Sequence, residues 1–172
     1  MNIDLVPMGD ANPDVIQGLK GGLNAILGCP VHICDPIPIP TRAFDTARNQ
    51  YLSDALIDCL RQHRNNSTHL LGITEVNIYT HDLNFLFGQA DSDGRVAIIS
   101  LNLLRGENYG LPSDKKLLGE RALKEAVHEL GHTMGLGHCM DGSCVMHFSN
   151  SLIDTDLKGS YFCSRCQPKL IV

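Results

Sequence analysis

The stretch HELGHTMGLGH, residues 128–138, lies in the last third of a chain of 172 residues. It places His128 and His132 four residues apart, so both imidazoles lie on one face of a helix and are close enough to bind one Zn²⁺. Gly135 can adopt the left-handed conformation that ends a helix, and this turn would bring His138 back to the same ion. The sequence therefore predicts a zinc site formed by three histidines.

Glu129 follows the first of these histidines and is offset from it by about 100° around the helix. It can therefore lie beside the ion and accept a proton from water without being a ligand. Three protein ligands leave a fourth position open, which distinguishes a catalytic zinc site from a structural one. A helix with ordinary surface histidines is the alternative for a bare two-histidine motif, but the longer pattern with Gly135 and His138 is far stricter.

Four cysteines form two closely spaced pairs after the third histidine: Cys139, Cys144, Cys163 and Cys166. Four thiolates around one tetrahedral zinc close the site against substrate, so this pattern predicts a second, structural zinc. A CxxC redox pair and unlinked core thiols are the alternatives. Cys139 directly follows His138, and Cys144 precedes Met146 by two residues. A second ion would therefore clamp both ends of the loop beneath the first.

These motifs together resemble one family of metallopeptidases. Residues 128–138 fit the extended metzincin pattern, and Met146 fits the methionine turn that supports the metal in that clan. The four cysteines at their spacings are similar to those of the archaemetzincins, and residues 85–90 look like the upper strand of that family. The first 80 residues match mainly in the order of elements. The resemblance implies a zinc metallopeptidase whose upper strand binds an extended peptide through main-chain hydrogen bonds.

The remaining chain predicts alternating strands and helices. We expect a strand over 2–7, a helix that Asn12 caps and Gly28 ends, a strand over 31–34, a helix over 46–64 and a strand over 69–79. Right-handed crossovers would join these strands into a parallel sheet. A hairpin of 84–90 and 95–101, joined by an Asp-Gly turn, adds an antiparallel strand. A helix over 115–134, capped by Ser113, then carries the first two histidines.

The predicted fold class is α+β and metzincin-like (zincin fold). It has a mixed, mostly parallel sheet, a backing helix, an active-site helix and a small C-terminal subdomain with the second zinc site. Residues 1–172 are expected to form a single catalytic domain. Its N-terminal subdomain, 1–134, holds the sheet and the active-site helix, and its C-terminal subdomain, 135–172, holds the methionine turn and the four cysteines.

Composition restricts the partners. The chain has 14 Lys and Arg against 19 Asp and Glu, a net charge of −5, which argues against nucleic acid as the main ligand. No apolar run is long enough to cross a membrane. The N-terminus lacks the features of a secretory signal, and thiols without an export signal fit a reducing compartment. We expect a cytoplasmic monomer that acts on a peptide or protein and has no nucleic-acid or membrane partner.

Two functions remain open at this stage. The first is a zinc-dependent peptidase that hydrolyses peptide bonds with a water activated by Glu129. The alternative is a zinc-stabilised module that binds a peptide or protein with little or no catalysis. Phe148 favours the alternative, because some metzincins place a tyrosine that assists the reaction two residues after the turn methionine. The sequence predicts no cleavage preference for a peptidase of this kind.

Four further residues receive weaker assignments. Glu125, three residues before His128, either orients that histidine or is an exposed helix charge. Cys29, Cys34 and Cys59 are expected to be buried thiols, because no further pair supports a third metal site.

Overall fold

The computed structural model of the protein describes residues 1–64 and 68–171. In chain order the strands are β1 (Ile3–Met8), β2 (Val31–Ile33), β3 (Phe44–Asp45), β4 (Gln50–Leu52), β5 (His69–Thr74), β6 (Ile78–Tyr79), β7 (Gly88–Asp91) and β8 (Val96–Ser100). The α-helices are α1 (Pro13–Leu27), α2 (Ser53–Gln62), α3 (Lys115–Thr133) and α4 (Leu152–Leu157). Short 3₁₀ helices occur at Thr41–Ala43, Asn102–Leu104, Gly106–Tyr109 and Gln167–Lys169.

The main sheet has the strand order β2-β1-β5-β8-β7. The first four strands run parallel, and β7 pairs antiparallel with β8 at one edge. Strands β1, β5 and β8 are buried at every position, as expected for parallel strands covered on both faces. This confirms the predicted mixed, mostly parallel sheet.

Helices cover both faces of this sheet. Side chains of α1 and α3 pack with Leu71 and Ile73 of β5, whereas α2 packs against the opposite face with Leu70. Successive strand residues point to opposite faces, so one strand contributes to two separate cores. The active-site helix α3 and the backing helix α1 therefore share one side of the sheet, and this confirms the predicted α+β fold.

The predicted helix over 46–64 is wrong in its first part, because α2 begins only at Ser53. Asp45 accepts hydrogen bonds on its side chain from the backbone N–H groups of Ala47 and Arg48, and Asn49 has a φ of 54°. Such an Asx turn offers the backbone an alternative to helical hydrogen bonds. The chain here forms β3 and β4, which join β6 in a small second sheet.

The observed helix caps agree in part with those predicted from the sequence. Asn12 caps α1 by accepting from the N–H groups of Asp14 and Val15, as predicted. Helix α3 is capped by Asp114, which accepts from Leu117 N at 2.9 Å, so the prediction of Ser113 is wrong by one residue. Helix α4, which the sequence reading missed, starts with a reciprocal capping box.

Helix α3 ends at Thr133, and Gly135 follows with a φ of +87°. Leu136 N donates to Gly131 O at 3.0 Å, which closes the turn that sends the chain back toward the helix. This is the left-handed turn expected at Gly135. None of the helices in the described ranges has the length and apolar character needed to cross a membrane.

Candidate active site

Three histidines converge where α3 ends. One ring nitrogen from each of His128, His132 and His138 lies within 4.8 Å of the other two, and we call this set the histidine cluster. The Nε2 atoms of His128 and His132 are 3.1 Å apart. The ring centroid of His138 lies 5.4 Å from that of His128 and 4.9 Å from that of His132. The fold therefore brings together the three residues that the spacing predicted.

Backbone carbonyls set the protonation of two of these rings. Nδ1 of His128 lies 2.8 Å from Val145 O, and Nδ1 of His132 lies 2.8 Å from Leu136 O. A carbonyl only accepts, so each Nδ1 carries the proton and each Nε2 presents a lone pair. Two lone pairs 3.1 Å apart repel unless a cation lies between them. This donor set fits zinc, since imidazole nitrogens fixed through their other N–H are its usual ligands.

Burial favours the same neutral form. It lowers the pKa of His128 to about 2, with the Lys158 ammonium as the next cause. Burial also lowers the pKa of His132 and His138. Neutral imidazole is the form that binds a metal ion, so the cluster is in its ligand state at neutral pH.

Glu129 lies beside the cluster, buried between α3 and the start of β7. A Cβ atom at Gly88 would lie 2.6 Å from Cγ of Glu129 and 2.8 Å from its Oε1. Only glycine therefore lets the strand approach this carboxyl so closely. Burial raises the pKa of Glu129 well above its usual range, and the nearby Glu125 carboxylate adds to the shift.

A cavity of about 260 Å³ opens next to Glu129 and His128. We call it the cleft cavity. It is bounded by α3, by residues 83–88 before and at the start of β7, and by residues 148–150 after Met146. A substrate group in this cavity would therefore lie against the carboxyl that the sequence assigns to catalysis.

Met146 lies directly beneath α3. A Cβ atom at Gly131 would overlap Sδ of Met146 and would lie 3.0 Å from Phe162. Gly131 thus allows the buried methionine to pack against the helix between the first two histidines. The contact is consistent with the predicted methionine turn, and support of the cluster by Met146 stays a prediction.

The four cysteines also converge, and we call them the cysteine cluster. All four Sγ atoms lie within 4.8 Å of one another, and Cys139 Sγ is 3.8 Å from Cys163 Sγ. Zinc–sulfur bonds of 2.3 Å at tetrahedral angles place two sulfurs about 3.8 Å apart, whereas a disulfide needs about 2.05 Å. The donor set therefore fits a tetrahedral metal ion better than a pair of disulfides.

Two thiols of the cysteine cluster, those of Cys163 and Cys166, differ in their pKa. Backbone N–H groups, led by that of Arg165, lower the pKa of Cys163 to about 6. Burial raises the pKa of Cys166 to about 12, and hydrogen bonding to Cys163 adds to this. One thiolate is thus already favoured, and a cation would be needed to ionise its buried neighbour.

One short loop joins the two clusters. Cys139 N donates to Met146 O at 2.9 Å, and Val145, between Cys144 and Met146, provides the carbonyl that holds Nδ1 of His128. The backbone that carries two of the cysteines therefore also orients a histidine of the other cluster.

Several weaker predictions have a different outcome. Glu125 neither bonds His128 nor lies exposed, because it is buried in an ion pair with Lys158 at 2.9 Å. The sequence carries no local signal for this pair, because its two residues lie far apart in the chain. Cys29 is buried as expected, but Cys34 and Cys59 are only half-buried.

Phe148 packs on His138 with ring centroids 4.8 Å apart.

Comparison with known proteins identifies the family. The sequence profile of Peptidase family M54 matches residues 30–171. The chain is 44% identical to an archaemetzincin of Methanocaldococcus jannaschii over 170 residues, which cover 99% of this chain and 93% of the relative.

Solved structures give the same result. A zinc-dependent peptidase from Methanocorpusculum labreanum superposes with a TM-score of 0.90 at 29% identity, covering 97% of this chain and 98% of the other. The archaemetzincin of Methanopyrus kandleri superposes with a TM-score of 0.87 at 38% identity, covering 98% of this chain and 92% of the other. The chain therefore belongs to peptidase family M54, the archaemetzincins, and is a zinc metallopeptidase.

Proposed function

We propose that the histidine cluster holds the catalytic zinc and that Glu129 is the general base and acid of peptide-bond hydrolysis. A zinc ion bound there would polarise the substrate carbonyl and acidify a water molecule. Glu129 would accept the proton of the attacking water and then deliver it to the leaving amine. The pair of Nε2 atoms 3.1 Å apart, each with its Nδ1 committed to a carbonyl, carries this proposal.

The environment of Glu129 suits both proton transfers. A carboxylate with an ordinary pKa is a weak base for the proton of water, and burial raises the pKa of Glu129. A catalytic pKa nearer the working pH favours transfer in both directions. Gly88 adds positional control, since the carboxyl packs directly against the backbone of β7.

The cysteine cluster would hold a second, structural zinc, giving two ions per chain. Four thiolates leave no position for substrate, so this ion would take no part in the reaction. Its contribution would be to hold the loop that carries Val145 and Met146. Val145 O fixes Nδ1 of His128, so the second ion would act on the active site through the backbone.

The substrate is proposed to be an extended peptide that binds beside β7. This strand lies at the edge of the main sheet, paired with β8 on one side. An extended chain could pair with the other side through main-chain hydrogen bonds. Gly88 begins β7 and contacts Glu129, so a peptide held there would pass the proposed base.

A peptide-library digest analysed by mass spectrometry tests this function. We expect cleavage that a zinc chelator abolishes and added zinc restores, together with two zinc ions per chain by elemental analysis. Cleavage that continues in a metal-free sample would contradict the role of the histidine cluster. Peptide binding without cleavage in the zinc-loaded protein would instead support the alternative of a binding module.

A further inference from the structure

The proposed mechanism leaves one buried ion pair unused. Lys158, just after α4, is 2% exposed and Glu125 on α3 is 3% exposed. The lysine Nζ lies 2.9 Å from Oε1 of Glu125 and 3.4 Å from His147 O. Replacing such a pair by apolar side chains of similar volume often costs no stability, so its presence calls for another explanation.

The position of Glu125 suggests what that explanation is. Glu125 lies one helical turn before Glu129, and both line the cleft cavity. Lys158 and Thr155 both contact Oε1 of Glu125, and within the described part of the chain no hydrogen bond reaches Oε2. One carboxylate oxygen at the edge of the cavity is thus held by the protein, and the other is available to a ligand.

A second polar group of the cavity also lacks a partner. Ser149 lines the same cavity, and its Oγ is buried without a hydrogen bond among the described residues. Buried polar atoms are nearly always hydrogen-bonded in folded proteins. Oγ of Ser149 is itself shielded from the cavity, so Oε2 of Glu125 is the unfilled hydrogen-bonding group that a ligand in the cavity can reach.

The other walls of the cavity are largely apolar and aromatic. Phe85 and Phe87 form an edge-to-face pair with centroids 5.8 Å apart, and Phe148 lines the opposite side. Aromatic walls favour an aromatic guest in edge or offset contact. A side chain that is flat and apolar along its length, with a hydrogen-bond donor at its tip, would fit both the aromatic walls and the free oxygen of Glu125.

The charge of the cavity wall decides whether the bound side chain ends in a cationic or a neutral donor. Lys158 already compensates Glu125, so a second cation would lose its hydration for little net attraction. An uncharged hydroxyl has less hydration to lose and can donate to Oε2. The balance of charge therefore favours a neutral donor.

We propose that the cleft cavity receives one side chain of the peptide substrate and selects tyrosine, whose hydroxyl donates to Oε2 of Glu125 while Lys158 holds that carboxylate as a positioning residue. The inference rests on the proposed peptidase function. It concerns which peptides are cut and does not change the hydrolytic step.

Paired peptides that differ only by tyrosine or phenylalanine, scanned over the positions on both sides of the cleaved bond, test the proposal. At one position we expect kcat/KM to be about tenfold or more higher for tyrosine, because a site built for a hydroxyl rejects the analogue that lacks it. In a Glu125→Met/Lys158→Met variant, which leaves no unpaired buried charge, this ratio should fall to about one. The ratio is the decisive readout, because a purely structural or general loss of activity lowers the rates for both peptides together and leaves their ratio unchanged.

The matched control is the double variant Glu120→Met/Lys116→Met. These residues form an exposed pair on the same helix α3, so the tyrosine ratio should stay at the wild-type value.

The outcomes of this experiment distinguish failure of the inferred tyrosine selectivity from failure of the proposed peptidase function. A ratio near one in the wild-type enzyme, or a ratio unchanged in the Glu125→Met/Lys158→Met variant, overturns the inference while peptide cleavage continues. A preference for lysine or arginine at this position also overturns it. Failure of the wild-type enzyme to cut any peptide overturns the proposed function and this inference with it.

Discussion

The histidine cluster and the cysteine cluster share the loop of residues 139–146, but they differ in the number and setting of their donors. The histidine cluster has three donors, of which His128 is buried and His138 is exposed, and it borders a cavity. The cysteine cluster has four, with Cys144 and Cys166 buried. A tetrahedral ion would keep one position for reactants in the first and none in the second. The count of donors thus distinguishes the proposed catalytic site from the proposed structural site.

The two clusters are connected all the same. His128 depends on the carbonyl of Val145, and Cys139 N donates to Met146 O within the same loop. The comparison therefore has two parts that can be tested separately. One is that only the histidine cluster performs chemistry, and the other is that the cysteine cluster affects chemistry through the backbone.

The largest effect is expected from Glu129→Gln, which should lower kcat by about 10³-fold, because the amide cannot accept the proton of water. Zinc content should remain at its wild-type value, since Glu129 is not proposed as a ligand. Peptide cleavage and elemental analysis measure both. The control is Glu120→Gln, an exposed carboxylate on the same helix. A Glu129→Gln enzyme of undiminished rate would remove this residue from the mechanism.

A smaller effect on activity is expected from Cys163→Ser/Cys166→Ser, which removes two donors of the cysteine cluster. We expect the loss of one zinc ion per chain, a lower Tm and a fall in kcat/KM of about 100-fold, the size typical of losing support around a metal site. Elemental analysis, thermal unfolding and peptide cleavage measure these.

Cys59→Ser is the control for that variant, because Cys59 lies outside both clusters. If the double variant loses zinc and keeps full activity, the two clusters are independent and the proposed link through Val145 is wrong.

The smallest effect is expected from Gly88→Ala, where a single methyl group would press on the Glu129 side chain and on the backbone oxygen of Ile98. The carboxyl would have to shift by a fraction of an ångström, and we expect kcat to fall about tenfold with little change in zinc content. Gly119→Ala is the control, because a Cβ atom there meets nothing within 4 Å. Equal rates in the two variants would show that the position of Glu129 does not depend on β7.

The parts that the sequence predicted are those that depend on neighbours along the chain. Histidines four residues apart share a helix face wherever a helix forms, and Asn12 caps α1 through N–H groups two and three residues away. Cys139 and Cys144 flank one loop for the same reason. The first part of the predicted helix over 46–64 failed because Asp45 forms a local turn, which periodicity does not register.

The parts that the sequence did not predict depend on contacts between distant segments. The approach of Gly88 to Glu129 follows from the packing of α3 against β7, and the burial of Glu125 with Lys158 follows from the position of the chain after α4. Spacing alone determined which donors could share an ion, because that requirement is local. Only the tertiary structure decided what surrounds those donors, because burial, cavities and ion pairs arise when segments far apart in the chain pack together.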